Sequence, residues 1–201
     1  MKKKLLGLLL TLPLVTVATG WAQKDFARSG PAQPPVIDAS ENTIVLYDGS
    51  VPAIFTGALD ADDSTYNRPV SCATLSGVGT AVPLDTITIT NNSAGVANII
   101  VFSSLVGGAV CGDANDTFFT LYNGAFTPAA ALTNCVAVND DISGASNRCS
   151  QLTFSIPVGE TRTVAVAGFN NATDPDGLFA YQINFTGTTP VELLHFSIDG
   201  Q

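Results

Sequence analysis

The sequence predicts an all-β protein built as an antiparallel β-sandwich or jelly roll of about eight strands. Short segments alternate between apolar and polar residues, as in Thr86–Thr90, Thr153–Ile156 and Thr163–Val166. This period of two places one face of each strand in a core and the other face in water. Turn-forming pairs such as Asn91–Asn92 and Asn123–Gly124 separate the segments. No stretch shows the apolar periodicity of a capped helix.

Two further segments predict additional strands. Ile99–Phe102 is a continuous apolar run, which is typical of a strand that is buried on both faces. Towards the C-terminus, Tyr181 and Ile183 alternate with Gln182 and Asn184. We therefore expect the ring of Tyr181 to lie in the core.

The N-terminus has the pattern of a secretory signal peptide covering residues 1–22. Lys2–Lys4 form a positive region, the apolar run Leu5–Val17 follows, and Gly20–Ala22 supplies small residues at the cleavage positions. The alternative, a membrane anchor, would need about 20 apolar residues, which is longer than this run. We expect a secreted, extracellular protein that begins at Gln23 and has no stable membrane insertion after cleavage.

The rest of the chain is long enough for one domain. Residues 23–50 are expected to form an N-terminal linker and lead-in segment, since Pro and Gly interrupt them and no periodicity survives. Residues 51–188 then form the β-sandwich. Residues 189–201 form a C-terminal tail strand, which is similar to the short strand that precedes sorting segments in many exported bacterial proteins.

The charge balance argues against nucleic acid as a partner. The chain has 8 Lys and Arg residues against 17 Asp and Glu residues, giving a formal net charge of −9. Loss of Lys2–Lys4 with the signal peptide would make the mature chain still more acidic. Such a surface repels phosphate backbones and anionic lipids. Because 46% of the chain is hydrophobic, a packed core is expected rather than disorder.

The four cysteines predict two disulfides, because an even number of cysteines in an exported protein favours pairing. A metal site is less well supported, since no Cys-x-x-Cys pair occurs. Cys135 and Cys149 flank a loop rich in Gly, Ser and Asn between successive strands, so we expect them to pair. That pairing leaves Cys72 to bond Cys111.

Two oxygen-rich loops are candidate calcium ligands. Asp113 and Asp116 precede one predicted strand, and Asn139, Asp140 and Asp141 follow another. Calcium takes about six to eight oxygen ligands from carboxylates, amides and carbonyls. If the two strands are neighbours, both loops converge at one end of the sandwich and could hold a structural calcium ion. The alternative is that these residues only form turns through local hydrogen bonds, and no cofactor is expected to be required.

The sequence offers no convincing set of catalytic residues, and we expect no enzymatic activity. His195 is the only histidine and lies in the predicted tail, so a hydrolytic triad has a poor candidate for its base. Asp62–Asp63 and Asp140–Asp141 could supply paired carboxylates for glycoside hydrolysis, but both pairs lie in turn-like segments. No Gly-rich phosphate loop precedes a helix.

Much of the chain, roughly residues 51–188, resembles the bacterial pre-peptidase C-terminal family of extracellular β-sandwich domains. The segments that carry the resemblance are Thr56–Leu59, Thr65–Pro69, Asp116–Gly124, Phe126–Pro128, Leu132–Asn134, Val138–Asp141, Ile156–Thr161, Val164–Phe169 and Gly177–Phe185. The resemblance implies a sandwich that accompanies secreted proteases and other extracellular proteins. It also implies a binding or supporting role without catalysis.

These observations together predict a secreted, non-catalytic binding or accessory module that acts at the cell exterior on a polysaccharide or protein. Tyr47, Tyr66, Tyr122 and Tyr181 could supply rings that stack on sugars. The alternative is a structural or adhesive surface protein that self-associates through its uncharged, Thr- and Asn-rich strands.

Overall fold

The structure, a computed structural model, describes residues 35–38, 42–50, 53–171 and 178–190. The predicted signal peptide and most of the predicted tail strand lie outside these residues, as does His195.

The described residues form thirteen strands, of which eight have five or more residues. They are β1 Val36–Asp38, β2 Thr43–Leu46, β3 Ala53–Ala58, β4 Thr65–Tyr66, β5 Pro69–Ser71, β6 Thr74–Leu75, β7 Val82–Asn91, β8 Ala97–Ser104, β9 Thr117–Asn123, β10 Cys135–Asn139, β11 Gln151–Ile156, β12 Thr161–Gly168 and β13 Ala180–Thr188. The helical elements in these residues are single 3-10 turns at Asp113–Asn115, Pro128–Ala130 and Gly144–Ser146.

The longer strands form two sheets that pack face to face. The larger sheet has the order β1-β2-β7-β12-β9-β10, with β4 paired to the start of β7. The smaller sheet has the order β11-β8-β13-β3, and β5 and β6 form a separate hairpin. Every pair is antiparallel except β2 and β7. The predicted all-β antiparallel sandwich is therefore confirmed, with one parallel pair that the sequence pattern did not predict.

The main core lies between the two sheets, where the period-two pattern predicted it. Ile87 and Ile89 of β7 and Val164 of β12 point inward from the larger sheet. Val101 of β8 and Ile183 of β13 meet them from the smaller sheet, and these five side chains are almost fully buried. Their removal from water supplies the largest favourable contribution to folding, roughly 1.5–3 kcal/mol for each large side chain.

A second cluster covers the other face of the larger sheet. Tyr66, Leu84 and Tyr122 are buried there, and Phe126 packs against them. The outward side chains of β9 are consequently buried as well, so that six of its seven residues are buried. The expectation that each strand turns one face to water therefore fails for β9, because β4 and the segment after β9 fold over it.

The predicted lead-in segment contributes two strands to the larger sheet. β1 pairs with β2, and β2 runs parallel to β7 with Thr43 opposite Thr88. Ile44 and Leu46 enter the main core. Part of residues 23–50 thus belongs to the sandwich.

The disulfides join different partners from those that we expected. Cys72 bonds Cys135 and Cys111 bonds Cys149, so the predicted Cys135–Cys149 and Cys72–Cys111 pairs are wrong. Cys135 begins β10, whereas Cys149 lies near the far end of that strand, beyond Asn139. A five-residue strand separates its ends by more than about 10 Å, which is beyond the reach of one disulfide.

Candidate metal centre

The candidate metal centre lies at the end of the larger sheet where β9 begins and β10 ends. These strands are antiparallel neighbours, with Phe119 opposite Asn139. Asp116 immediately precedes β9, and Asp140 and Asp141 immediately follow β10. The pairing therefore brings the two predicted oxygen-rich loops together, as the sequence analysis anticipated for neighbouring strands.

Three carboxylates converge at this point. One oxygen from each of Asp116, Asp140 and Asp141 lies within 4.8 Å of the others. Asp116 is only 6% exposed. The Oδ1 atom of each residue is buried and accepts no hydrogen bond within the described part of the chain. Buried polar atoms are ordinarily paired, so these three acceptors are suited to bind a cation or to carry a proton.

Ser150 fixes the backbone around this cluster, which we call the Asp116 cluster. Its Oγ lies 2.7 Å from the carbonyl oxygen of Thr117 and 2.7 Å from that of Asp140. Its backbone N–H donates to the hydroxyl of Ser103, 2.8 Å away. One buried serine thus ties the start of β9 to the end of β10. This tie holds the carboxylates together despite their mutual repulsion.

The electrostatics of the cluster disfavour three negative charges. Burial, together with the charges of Asp140 and Asp141, raises the pKa of Asp116 to about 7. Burial and the charge of Asp141 also raise the pKa of Asp140. A divalent cation would reverse both effects, because its charge stabilises the carboxylate form.

Arg148 compensates part of this charge from the adjacent loop. Its Nη1 lies 3.3 Å from Asp116 Oδ2, and its Nε contacts Asp113 Oδ1. The Cys111–Cys149 disulfide holds this loop, since the N–H of Arg148 donates to the carbonyl of Cys111. Arg148 therefore occupies one oxygen of Asp116 and leaves the other free.

Arg68 is a second cation near the cluster, and the sequence analysis missed it. Its side chain is 1% exposed, and its guanidinium carbon lies 4.2 Å from the ring centroids of both Phe118 and Phe169. Its Nε donates to the carbonyl of Phe169 at 2.9 Å. Burial lowers the pKa of Arg68, while the charges of Asp140 and Asp116 oppose that effect. A single arginine in a turn-like segment is not part of a periodic pattern. The sequence therefore could not predict that Arg68 is buried beside the cluster.

Two of the five predicted ligands do not join the cluster. Asp113 is mostly exposed, with 83% of its side chain accessible, and pairs with Arg148 instead. The Oδ1 atom of Asn139 accepts a hydrogen bond from the N–H of Gln151 at 2.7 Å. The amide group is thus used to join β10 to β11, which leaves three carboxylates as the candidate ligands.

Most of the predicted sugar-stacking rings are buried. Tyr66 and Tyr181 are each 3% exposed, and Tyr122 is fully buried. Their hydroxyls bond to Thr120, Asp85 and the carbonyl of Ala131 respectively. The expectation that Tyr66 and Tyr122 stack on sugars is therefore wrong, and of the four only Tyr47 remains partly exposed.

Comparison with known proteins identifies similar solved structures, among them the following two. The first is the pre-peptidase C-terminal domain of a collagenase from Bacillus anthracis, with 13% identity, coverage of 72% of this chain and 94% of that one, and a TM-score of 0.38. The second is the K1 cleaved adhesin domain of Lys-gingipain from Porphyromonas gingivalis, with 12% identity, 69% and 96% coverage, and a TM-score of 0.31. The family that the sequence resembles is thus among the structures to which this chain is similar.

No family model matches the chain, and no curated protein matches it. Within the residues that the structure describes, no helix has the length and apolarity to cross a membrane.

Proposed function

We propose that this chain is an exported, non-catalytic binding or accessory module whose disulfide-bonded end is stabilised by a calcium ion. The three unpaired buried carboxylate oxygens of Asp116, Asp140 and Asp141 carry this proposal. The pairing of all four cysteines supports export, because disulfides persist in oxidising compartments.

The donor set of the Asp116 cluster suits calcium better than other ions. All three candidate ligand atoms are carboxylate oxygens, which are the ligands that hard cations prefer. The chain contains one histidine, His195, and its cysteines are bonded to one another, so a nitrogen or sulfur site of the zinc type is not supported. Calcium accepts irregular geometry and can complete its shell with carbonyls and water, whereas magnesium requires a tighter octahedron.

Thermal unfolding with and without calcium tests the proposal. An ion that binds only the folded state stabilises it by about 2.7 kcal/mol at a hundredfold excess over its dissociation constant. Millimolar calcium should therefore raise the Tm, a chelator should lower it, and magnesium should have a smaller effect. Isothermal titration calorimetry should show one calcium site per chain.

Matched variants separate a metal site from a general charge effect. Asp116→Asn should abolish the calcium response while leaving the folded state intact, because an amide avoids the cost of the buried charge. Asp62→Asn removes the same charge from an exposed turn and should leave the response unchanged. If calcium and chelator leave the Tm of the unsubstituted chain unchanged, the cluster holds a proton and the calcium proposal is wrong.

Self-association is a second candidate function, and the smaller sheet favours it. None of its strands, β3, β8, β11 and β13, contains a charged residue. Ile54 on its edge strand β3 is 61% exposed, and Ile100 on β8 is 37% exposed. Two copies of an acidic chain repel each other least where no carboxylate is present, so this outer face is where they would meet.

Sedimentation analysis tests this second candidate. If copies associate through the smaller sheet, Ile54→Lys should shift the population towards monomers, because it places a desolvated charge in the contact. Val78→Lys, at a position that is 58% exposed outside this sheet, is the matched control. A monomer at all concentrations would rule out the candidate.

A further inference from the structure

An open groove of about 770 Å³ lies on the outer side of the larger sheet, beside β7. Gly124, which follows the last residue of β9, lines one end of the groove. Leu84, which lies level with Phe118 across β12, lines the other end. The groove volume falls within the range of about 300–1,000 Å³ that small-ligand sites occupy.

The groove exists because two strands leave a gap along the same edge of β7. β4 pairs only with Val82 and Pro83, and β2 pairs only with Thr88–Asn91. The gap is bounded where the N–H of Leu84 donates to the carbonyl of Ser64 and where the N–H of Thr88 donates to the carbonyl of Asn42. Between these bonds no described strand pairs with this edge.

The walls of the groove differ in chemistry. Its floor is a row of hydroxyls from the outward side chains of β7 and β12. One wall carries the carboxylates of Asp62 and Asp63, and the other carries Phe126 and Pro128. Asp85 also lines the groove, but its carboxylate accepts a hydrogen bond from Tyr181 of the smaller sheet. An acidic wall facing an apolar wall suits a long side chain that has a cationic head and an aliphatic stem.

The negative charge of the groove has no compensating cation among the described residues. The arginines in that part of the chain are Arg68, Arg148 and Arg162. Arg68 is buried between two phenylalanine rings, Arg148 pairs with Asp113 and Asp116, and Arg162 pairs with Glu160. None of the three lines the groove.

The ring of Phe126 also bears on which ligand fits. It is partly buried, with its centroid 4.5 Å from that of Tyr122 and 5.6 Å from that of Tyr66. The ring is therefore largely occupied by packing and offers a poor platform for a sugar. The carboxylates, by contrast, offer strong acceptors for charged donors, above all the fork of a guanidinium group.

We propose that this groove binds a cationic segment of a partner protein, with a lysine or arginine side chain held by Asp62 and Asp63 and its stem against the apolar wall of Phe126 and Pro128. This inference specifies the partner of the proposed binding module and is independent of the calcium site. The acidity of the whole chain assists it, because a field of one sign draws oppositely charged partners towards the surface.

Fluorescence anisotropy with a labelled, glycine-flanked lysine–arginine peptide tests the inference on the secreted protein. Saturable binding should weaken as salt increases, since screening acts on exposed charges. A peptide with glutamine at the basic positions should not bind. The double variant Asp62→Asn/Asp63→Asn should weaken binding at least about fivefold, as expected for the loss of two exposed pairs.

Asp48→Asn is the matched control, because it removes a charge beside Ala94. The stretch Leu84–Asn91 of β7 places that charge about 20 Å from Asp62 and Asp63, well beyond the Debye length of about 8 Å at physiological salt. Its peptide affinity should be unchanged. Peptide binding is measured without calcium, so this inference and the calcium proposal can fail separately. The inference is overturned if the basic peptide does not bind, if the glutamine peptide binds equally well, or if the double variant retains full affinity. Binding of a neutral oligosaccharide in place of the peptide would also overturn it.

Discussion

The Tyr181 hydroxyl donates a 2.5 Å hydrogen bond to Asp85 Oδ2 and thereby joins the two sheets of the sandwich. Tyr181 belongs to β13 in the smaller sheet, and Asp85 belongs to β7 in the larger one. The tyrosine fits because residue 57 is glycine, where an added Cβ would lie 2.5 Å from the Tyr181 oxygen. Asp85 is also one of the residues that line the groove, so the core and the candidate binding surface meet at one residue.

Asp85 should make stability depend on pH. Burial raises its pKa above the ordinary 3.8, and the charges of Asp63 and Asp60 act in the same direction, whereas the Tyr181 hydrogen bond opposes them. A raised folded pKa contributes stability that is fully present below the unfolded pKa and is lost as pH rises through the folded pKa. Because asparagine does not titrate, Asp85→Asn should gain stability relative to the unsubstituted chain as pH rises from below 3.8 through the raised folded pKa of Asp85.

Chemical denaturation at several pH values measures this difference. Tyr181→Phe is the companion variant, since it removes the hydrogen bond that favours the carboxylate and should steepen the loss of stability. A difference between Asp85→Asn and the unsubstituted chain that does not change with pH would contradict the argument.

The strands that could be predicted are those in which a local pattern decides the structure. In β13 and over Thr86–Thr90 of β7 the alternation of apolar and polar residues matches the observed burial. In β9 and β12 it does not, because β4 and the segment after β9 bury Thr120 and Tyr122, and the last six residues of β12 are all buried. The alternation within a strand predicts which side chains share a face of the sheet. It does not predict which other segments pack on that face.

The candidate site follows the same rule. The convergence of Asp116 with Asp140 follows from two loops that flank neighbouring strands, and the sequence analysis expected it on the condition that these strands are neighbours. The loss of Asn139 from the set depends on one backbone donor in β11, that of Gln151, which no spacing could reveal. The disulfide partners depend on where the β5–β6 hairpin folds, and that hairpin has no pattern of its own.

Loss of either disulfide should lower stability, but only one of the two should affect the calcium response. The Cys72–Cys135 disulfide closes a loop of 63 residues, and the Cys111–Cys149 disulfide closes one of 38. Each should contribute about 4 kcal/mol to the free energy of unfolding in the chain-entropy description. Replacing Cys111 and Cys149 with serine should also weaken the calcium response, because that bond fixes Cys149 next to Ser150, whose hydroxyl ties together the two loops of the Asp116 cluster. Replacing Cys72 and Cys135 should lower stability but leave the calcium response intact.

Peptide mapping of the oxidised protein provides the direct check on this arrangement. It should recover Cys72 linked to Cys135 and Cys111 linked to Cys149. Recovery of a Cys135–Cys149 peptide would show that the connectivity is wrong.

Arg68 should be the most costly single charge to remove. Arg68→Met leaves Asp116 and Asp140 without one neighbouring cation and leaves the carbonyl of Phe169 without its donor. Breaking a buried charged contact costs about 3–5 kcal/mol, and unfolding in the presence of chelator should show a loss of that size. Arg162→Met, which breaks a pair with the half-exposed Glu160, should cost at most about 1 kcal/mol. Equal losses for the two variants would refute a special role for Arg68.

Gly187 should tolerate no side chain, because the backbone of β8 lies directly against it. A Cβ at this position would lie 2.1 Å from the carbonyl oxygen of Asn98, a backbone atom that cannot rotate away. Gly187→Ala should therefore force the strands apart and cost about 1–3 kcal/mol, the range measured for overpacked sites. Gly77→Ala is the matched control, since an added Cβ meets nothing within 4 Å there and stability should change by no more than about 0.5 kcal/mol. If both variants unfold at the same denaturant concentration, the close approach of β13 and β8 at Gly187 is not a feature of the folded protein in solution.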